Sequence, residues 1–145
     1  MAERKITVQE KRERRNALLE ILFESEFRKD ETPEEIFIVS AEERELSQEI
    51  RTYVKNMYFD IKEKIDTVDE YINKASEGWK TTRLSKLSLC ILRLAVYEML
   101  YVEDVPAVIS INEAIELSKK YDDPKAKSFI NGVLNKIKDT IENNA

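Results

Sequence analysis

Leu87 to Val102 reads LSLCILRLAVYEMLYV, the most apolar stretch of the chain. Leu89, Cys90, Ile91, Leu92, Leu94, Ala95, Val96, Tyr97, Met99 and Leu100 leave almost no polar face. A helix that is apolar all round is buried on all sides. Periodicity alone does not separate helix from strand in so short a run. Length, the Leu/Ala/Met content and the absence of glycine and proline favour helix. A membrane span needs about 20 apolar residues. This run is shorter and carries Arg93 and Glu98, so it predicts the central helix of a water-soluble core.

The rest of the chain agrees with a helical core. At 145 residues one domain is expected, residues 1–145, large enough to bury a core. The chain is 42% hydrophobic and 37% charged, a globular balance. Two glycines and three prolines are too few to turn a sheet, and the one Asn-Gly pair, Asn131-Gly132, sits inside a helical pattern. The fold class expected is all-α.

Composition also removes chemistries. Without histidine there is no His-based acid–base catalysis, no Ser-His triad and no His metal ligand. The single cysteine, Cys90, lies in the apolar helix and reads as an inert buried thiol. Two glycines cannot build a phosphate-binding loop or a dinucleotide fingerprint. No catalytic residue, cofactor or metal is expected. No signal peptide or membrane-spanning segment is read, and a free cysteine suits a reducing cytoplasm. The net charge of −5 argues against a general nucleic-acid binder. It hides segregation, however: residues 1–29 are net basic and residues 31–80 strongly acidic. Any anion site belongs to the ends of the chain.

Outward from the central run, capping signals divide the chain. Thr7-Val8-Gln9-Glu10 has the capping-box pattern and predicts a helix to about Arg28, with Leu18, Leu19, Leu22 and Phe23 on its apolar side. Thr32-Pro33-Glu34-Glu35 predicts a short second helix. Ser40-Ala41-Glu42-Glu43 predicts the start of a third, running through Tyr53 and Met57 to about Ala75, with a break between Asp60 and Asp66. Gly78 reads as a C-cap, Trp79 as a core anchor beneath a loop, and Thr81 or Thr82 as the cap of a short turn. Beyond the central helix, Pro106 opens a helix with Val108, Ile111, Ile115 and Ser118 as its stripe. Asp122-Asp123-Pro124 predicts the start of the last helix, Pro124 to about Ile141.

Two clusters have a functional reading. Lys11, Arg12, Arg14 and Arg15 are four cations in five residues near a terminus. A solvated charged turn is the ordinary reading of such a cluster; a phosphate-contacting patch is the sharper one. In the last helix, Ile130, Val133, Leu134, Ile137 and Ile141 form the core stripe. Phe129 falls about 100° from its centre, with Lys125, Gly132 and Lys136 on the same side. Geometry alone favours a phenylalanine covering the core edge. The functional alternative is a single-strand platform, on which a base stacks on the ring while lysines hold phosphates.

Several ordered blocks then resemble one family. They are Ile91-Leu92-Arg93-Leu94-Ala95-Val96-Tyr97-Glu98, Asp104-Val105-Pro106, Ile111 to Leu117 (INEAIEL) and Phe129-Ile130-Asn131-Gly132-Val133-Leu134. Gly78-Trp79 with Arg83-Leu84, and Arg15 with Leu22-Phe23, fit the segments ahead of them. In order and spacing these resemble the NusB family, densely from Trp79 to Leu134 and thinly from Asp30 to Glu77. The resemblance implies a bundle of about seven helices without enzymatic activity. It implies a transcription antitermination factor that binds boxA RNA with NusE, a small-subunit ribosomal protein, alongside NusA, NusG and RNA polymerase, chiefly on ribosomal RNA operons. It also allows a homodimer. It assigns RNA contact to the N-terminal arginines and to the start of the last helix, where the matching aromatic is Phe129. Ser88 is the candidate NusE contact by its matched position, but Ser88-Leu89 departs from the charged pair such as Asp-Arg that the family commonly carries there, so the acidic group of that contact is missing; Glu20 stands where a glutamine is common. Lys125-Ala126-Lys127-Ser128 is more basic than several relatives. Lysine positions phosphates without reading bases, so Lys125 and Lys127 favour tighter, less selective RNA binding. Two other readings stand beside this one: the NusB-like accessory domain of ribosomal RNA cytosine methyltransferases, and a helical module that binds only protein.

Overall fold

The computed structural model describes residues 6–76 and 84–144. Among them are seven α-helices and no strand: α1 (Val8–Ser25), α2 (Pro33–Glu43), α3 (Gln48–Glu63), α4 (Ile65–Ala75), α5 (Lys86–Tyr101), α6 (Ala107–Tyr121) and α7 (Ala126–Asn143). The all-helical expectation holds. The chain divides into two compact units, Met1–Asp60 and Ile61–Ala145. Gly78, Trp79, Thr81 and Thr82, to which caps and an anchor were ascribed, lie outside the described residues.

In the first unit two of the three predicted caps form. The Thr7 hydroxyl accepts from the Glu10 N–H at 3.1 Å. Thr32 and Glu35 form a reciprocal capping box, with Pro33 at the first helical position. Each such cap contributes about 0.5–2 kcal/mol. α1 stops at Ser25, short of Arg28, where the Ser25 hydroxyl turns back to the Leu22 carbonyl (2.8 Å). Ser40 does not start a helix. It lies inside α2, fully buried, and its hydroxyl donates to Glu24 Oε2 at 2.7 Å. A capping-box pattern is read from four residues, whereas this serine answers a carboxylate sixteen positions away. Arg28 and Arg44 also donate to Glu24. α2 ends at Glu43 with Arg44 as its C-cap, and Glu45 then takes a left-handed conformation, φ 50°. Phe37 stacks on Tyr58 with ring centres 6.3 Å apart, and both are buried.

In the second unit α5 is the hub, contacting α4, α6 and α7. Ser88 to Leu92 and Leu94 to Glu98 are buried without a break in each run. Each large apolar side chain there contributes about 1.5–3 kcal/mol. The two charges that the helix takes inside are satisfied. Arg93 forms a two-pronged pair with Asp69 of α4, at 2.9 and 2.8 Å. Glu98, 3% exposed, accepts from the Ser110 hydroxyl of α6 at 3.1 Å. That bond explains why the α6 stripe is rotated from the one expected. Ser110, Ile111, Ala114, Leu117 and Ser118 face the core, while Val108 is 55% exposed and Ile115 only half-buried. A buried carboxylate needs a donor, so a serine takes the place an apolar residue would claim. The break between α3 and α4 falls at Lys64, inside the expected interval, with the Lys64 ammonium 4.9 Å from the Tyr101 ring centre. α7 begins at Ala126, two residues later than expected. Pro124 lies in the preceding turn, where Asp123 Oδ1 accepts from the Lys125 N–H at 2.8 Å.

Candidate nucleic-acid interface

The basic cluster occupies the first two turns of α1. Lys11 and Arg12 are exposed; Arg14 and Arg15 are half-buried. The Arg14 guanidinium lies over the Tyr53 ring of α3, 4.2 Å from its centre. A guanidinium held on an aromatic face loses little freedom on meeting a phosphate and keeps its edge donors available. Arg12 and Arg15 also interact within the protein. Nothing in the order of residues links Arg14 to Tyr53, because the pairing depends on how α3 packs.

On α7 four residues of the expected core stripe, Ile130, Val133, Leu134 and Ile137, are buried, while Ile141, in the last turn, is only half-buried. Phe129 is half-buried at the edge of that stripe. It lines a shallow groove of about 240 Å³ with Ser128, Gly132, Val133 and Lys136 of α7 and Ala75 and Ser76 at the end of α4. Of the residues the helical wheel placed together, Phe129, Gly132 and Lys136 share this groove, and the end of α4 supplies the opposite wall that the wheel could not show. A Cβ added at Gly132 would meet nothing within 4 Å, so the space above this glycine is open to an approaching ligand. Lys136, Lys125 and Lys127 are exposed. Lys125, at the N-cap position of α7, does not line the groove. Lys138 is committed elsewhere, to Glu142 at 3.6 Å.

Ser88 sits differently from its expectation. It is 6% exposed, at the third position of α5, and does not cap. Ser85 is the cap, its hydroxyl accepting from the Ser88 N–H at 3.1 Å. The Ser88 hydroxyl donates to Asp122 Oδ2 at 2.6 Å, tying the start of α5 to the end of α6. Asp122 is the half-exposed member of the pair. Glu20 faces Arg44 at 3.5 Å. Among the described residues, no helix is long and apolar enough to cross a membrane.

The arrangement can stack a base on Phe129 and neutralise phosphates around it. The profile of the NusB family matches residues 12–139. The transcription antitermination protein NusB of Ruminiclostridium cellulolyticum is 38% identical over 127 residues, covering 88% of this chain and 87% of the relative. A solved structure of T. maritima NusB superposes with a TM-score of 0.81 at 34% identity, covering 88% of this chain and 89% of that one. A solved complex of the antitermination factors NusB and NusE with double-stranded RNA contains a chain that superposes with a TM-score of 0.82 at 26% identity, covering 92% of this chain and 99% of that one.

Proposed function

The chain belongs to the NusB family, and on that premise we propose that it is a transcription antitermination factor that binds boxA RNA together with NusE and supports transcription of ribosomal RNA operons. It acts in the cytoplasm as an adaptor, without catalysis, in a complex with NusA, NusG and RNA polymerase. Residues 1–145 serve as one RNA-binding domain, and self-association into a homodimer is compatible with that role.

The observation that carries the reading is the groove in which Phe129, Gly132 and Lys136 meet. A base stacks on the Phe129 ring while Lys125, Lys127 and Lys136 hold phosphates. Lys11, Arg12, Arg14 and Arg15 add phosphate contacts on α1. One ring and a few cations make a weak site on a net-acidic chain, which is why a second protein on the same RNA matters. We assign the NusE contact to the start of α5, where the buried Ser88 hydroxyl holds the Asp122 carboxylate at the surface.

The test is a titration of boxA RNA and of a scrambled RNA, each with and without NusE. The expected result is preference for boxA that sharpens when NusE is present. Equal binding of both RNAs under both conditions overturns the reading. Asp122→Asn and Ser88→Ala are expected to weaken NusE binding while leaving binding of RNA alone unchanged.

A further inference from the structure

We infer that the seam between α4 and α7 carries a second single-strand platform, built on Tyr71, that takes nucleotides adjacent to the one stacked on Phe129. A second groove of about 430 Å³ lies along this seam, with Thr67, Glu70, Tyr71 and Lys74 of α4 on one side and Lys136, Thr140 and Asn144 on the other. It shares Ala75 and Lys136 with the Phe129 groove, so the two form one track. From Phe129 to Asn144 the track follows α7 for about 22 Å at 1.5 Å per residue, room for several nucleotides.

The chemistry along the track is that of a single-strand channel. Tyr71 is half-buried, an aromatic ring fixed at the groove wall with one side packed. Thr67, Thr140 and Asn144 offer hydrogen-bonding groups suited to sugar hydroxyls and base edges. Lys136 stands where the two grooves join, positioned to hold the phosphate between two stacked bases. Lys74 pairs with Glu70 at 3.0 Å, with 76% and 64% of the two side chains exposed. An exposed pair four residues apart on one helix is weak and exchanges readily for a phosphate.

The inference rests on RNA binding at Phe129, and the experiment separates the two. Fluorescence titrations compare a short single-stranded RNA that fills only the Phe129 groove with one extended by four nucleotides. Wild-type protein is expected to bind the longer RNA more tightly. Tyr71→Ala should remove that gain, a loss of at least about fivefold, the low end of stacking one base. It should leave the short RNA unaffected, whereas Phe129→Ala weakens both. Glu70→Gln, which removes the anion among the described lining residues of the track without removing packing, should tighten binding of the longer RNA about two- to fivefold. Glu35→Gln on α2 is the control and should change nothing. If Tyr71→Ala and Glu70→Gln leave the longer RNA unchanged while Phe129→Ala weakens it, the second platform is wrong and the first stands. If Phe129→Ala is also silent, both fail. If the seam variants weaken a protein partner and not RNA, the track is a protein site and the inference is overturned. Photocrosslinking of 4-thiouridine in the extension to Tyr71 would support it without relying on any variant.

Discussion

α5 and α7 lie in the same unit and differ in how each divides its residues between core and solvent. α5 buries two unbroken runs, Ser88 to Leu92 and Leu94 to Glu98, and satisfies Arg93 and Glu98 internally. α7 buries only Ile130, Val133, Leu134 and Ile137 and leaves Phe129, Gly132 and Lys136 on a groove. In this chain the most conspicuous helix of the sequence is the scaffold. The helix with a narrow apolar stripe has side chains left over for a ligand.

That division predicts variants with opposite signatures. Leu92→Ala, in the fully buried centre of α5, is expected to destabilise the fold by about 2–5 kcal/mol. Urea denaturation measures it, and RNA affinity per folded molecule should be unchanged. Phe129→Ala should weaken RNA binding by about 1–3 kcal/mol. Its effect on stability should be smaller than that of Leu92→Ala because the ring is only half-buried. A reversal of those two patterns would break the distinction between scaffold and surface.

Gly132→Ala sharpens it further. The added methyl meets nothing within 4 Å, and alanine is the better helix former. The variant should gain about 0.5–1 kcal/mol in thermal unfolding. The same methyl narrows the Phe129 groove, so RNA affinity should fall modestly. A glycine kept for packing would show the opposite sign in stability.

The smallest effect tests the other unit by pH. Partial burial works against ionisation of Glu24, but the Ser40 hydroxyl, Arg28 and Arg44 outweigh it and hold the carboxyl below its ordinary value. A depressed carboxyl contributes stability above its unfolded pKa and loses it as pH falls through the folded one. Stability should therefore drop below about pH 4.5, the ordinary glutamate range, and Glu24→Gln should flatten that part of the acid limb. An unchanged limb would mean the Glu24 cluster adds nothing between α1 and α2.

The caps at Thr7 and Thr32, the buried character of α5 and the stripe of α7 were legible because each depends on residues within one helix. Where a partner came from another element, reading along the chain failed. Ser40 resembles a cap and serves Glu24, and nothing along the chain shows that the Ser88 hydroxyl serves Asp122. Ser110 displaced the expected face of α6 because Glu98 needed a donor.

The class of fold, the family and the side of α7 on which Phe129, Gly132 and Lys136 lie follow from the order of residues alone. Helical periodicity and capping are local, and ordered motifs survive without coordinates. Only the tertiary structure decided that α4 walls the groove, that Tyr53 holds Arg14 and that Ser88 is buried. Those outcomes depend on which distant group satisfies a buried charge or hydroxyl, and linear spacing carries no record of that choice.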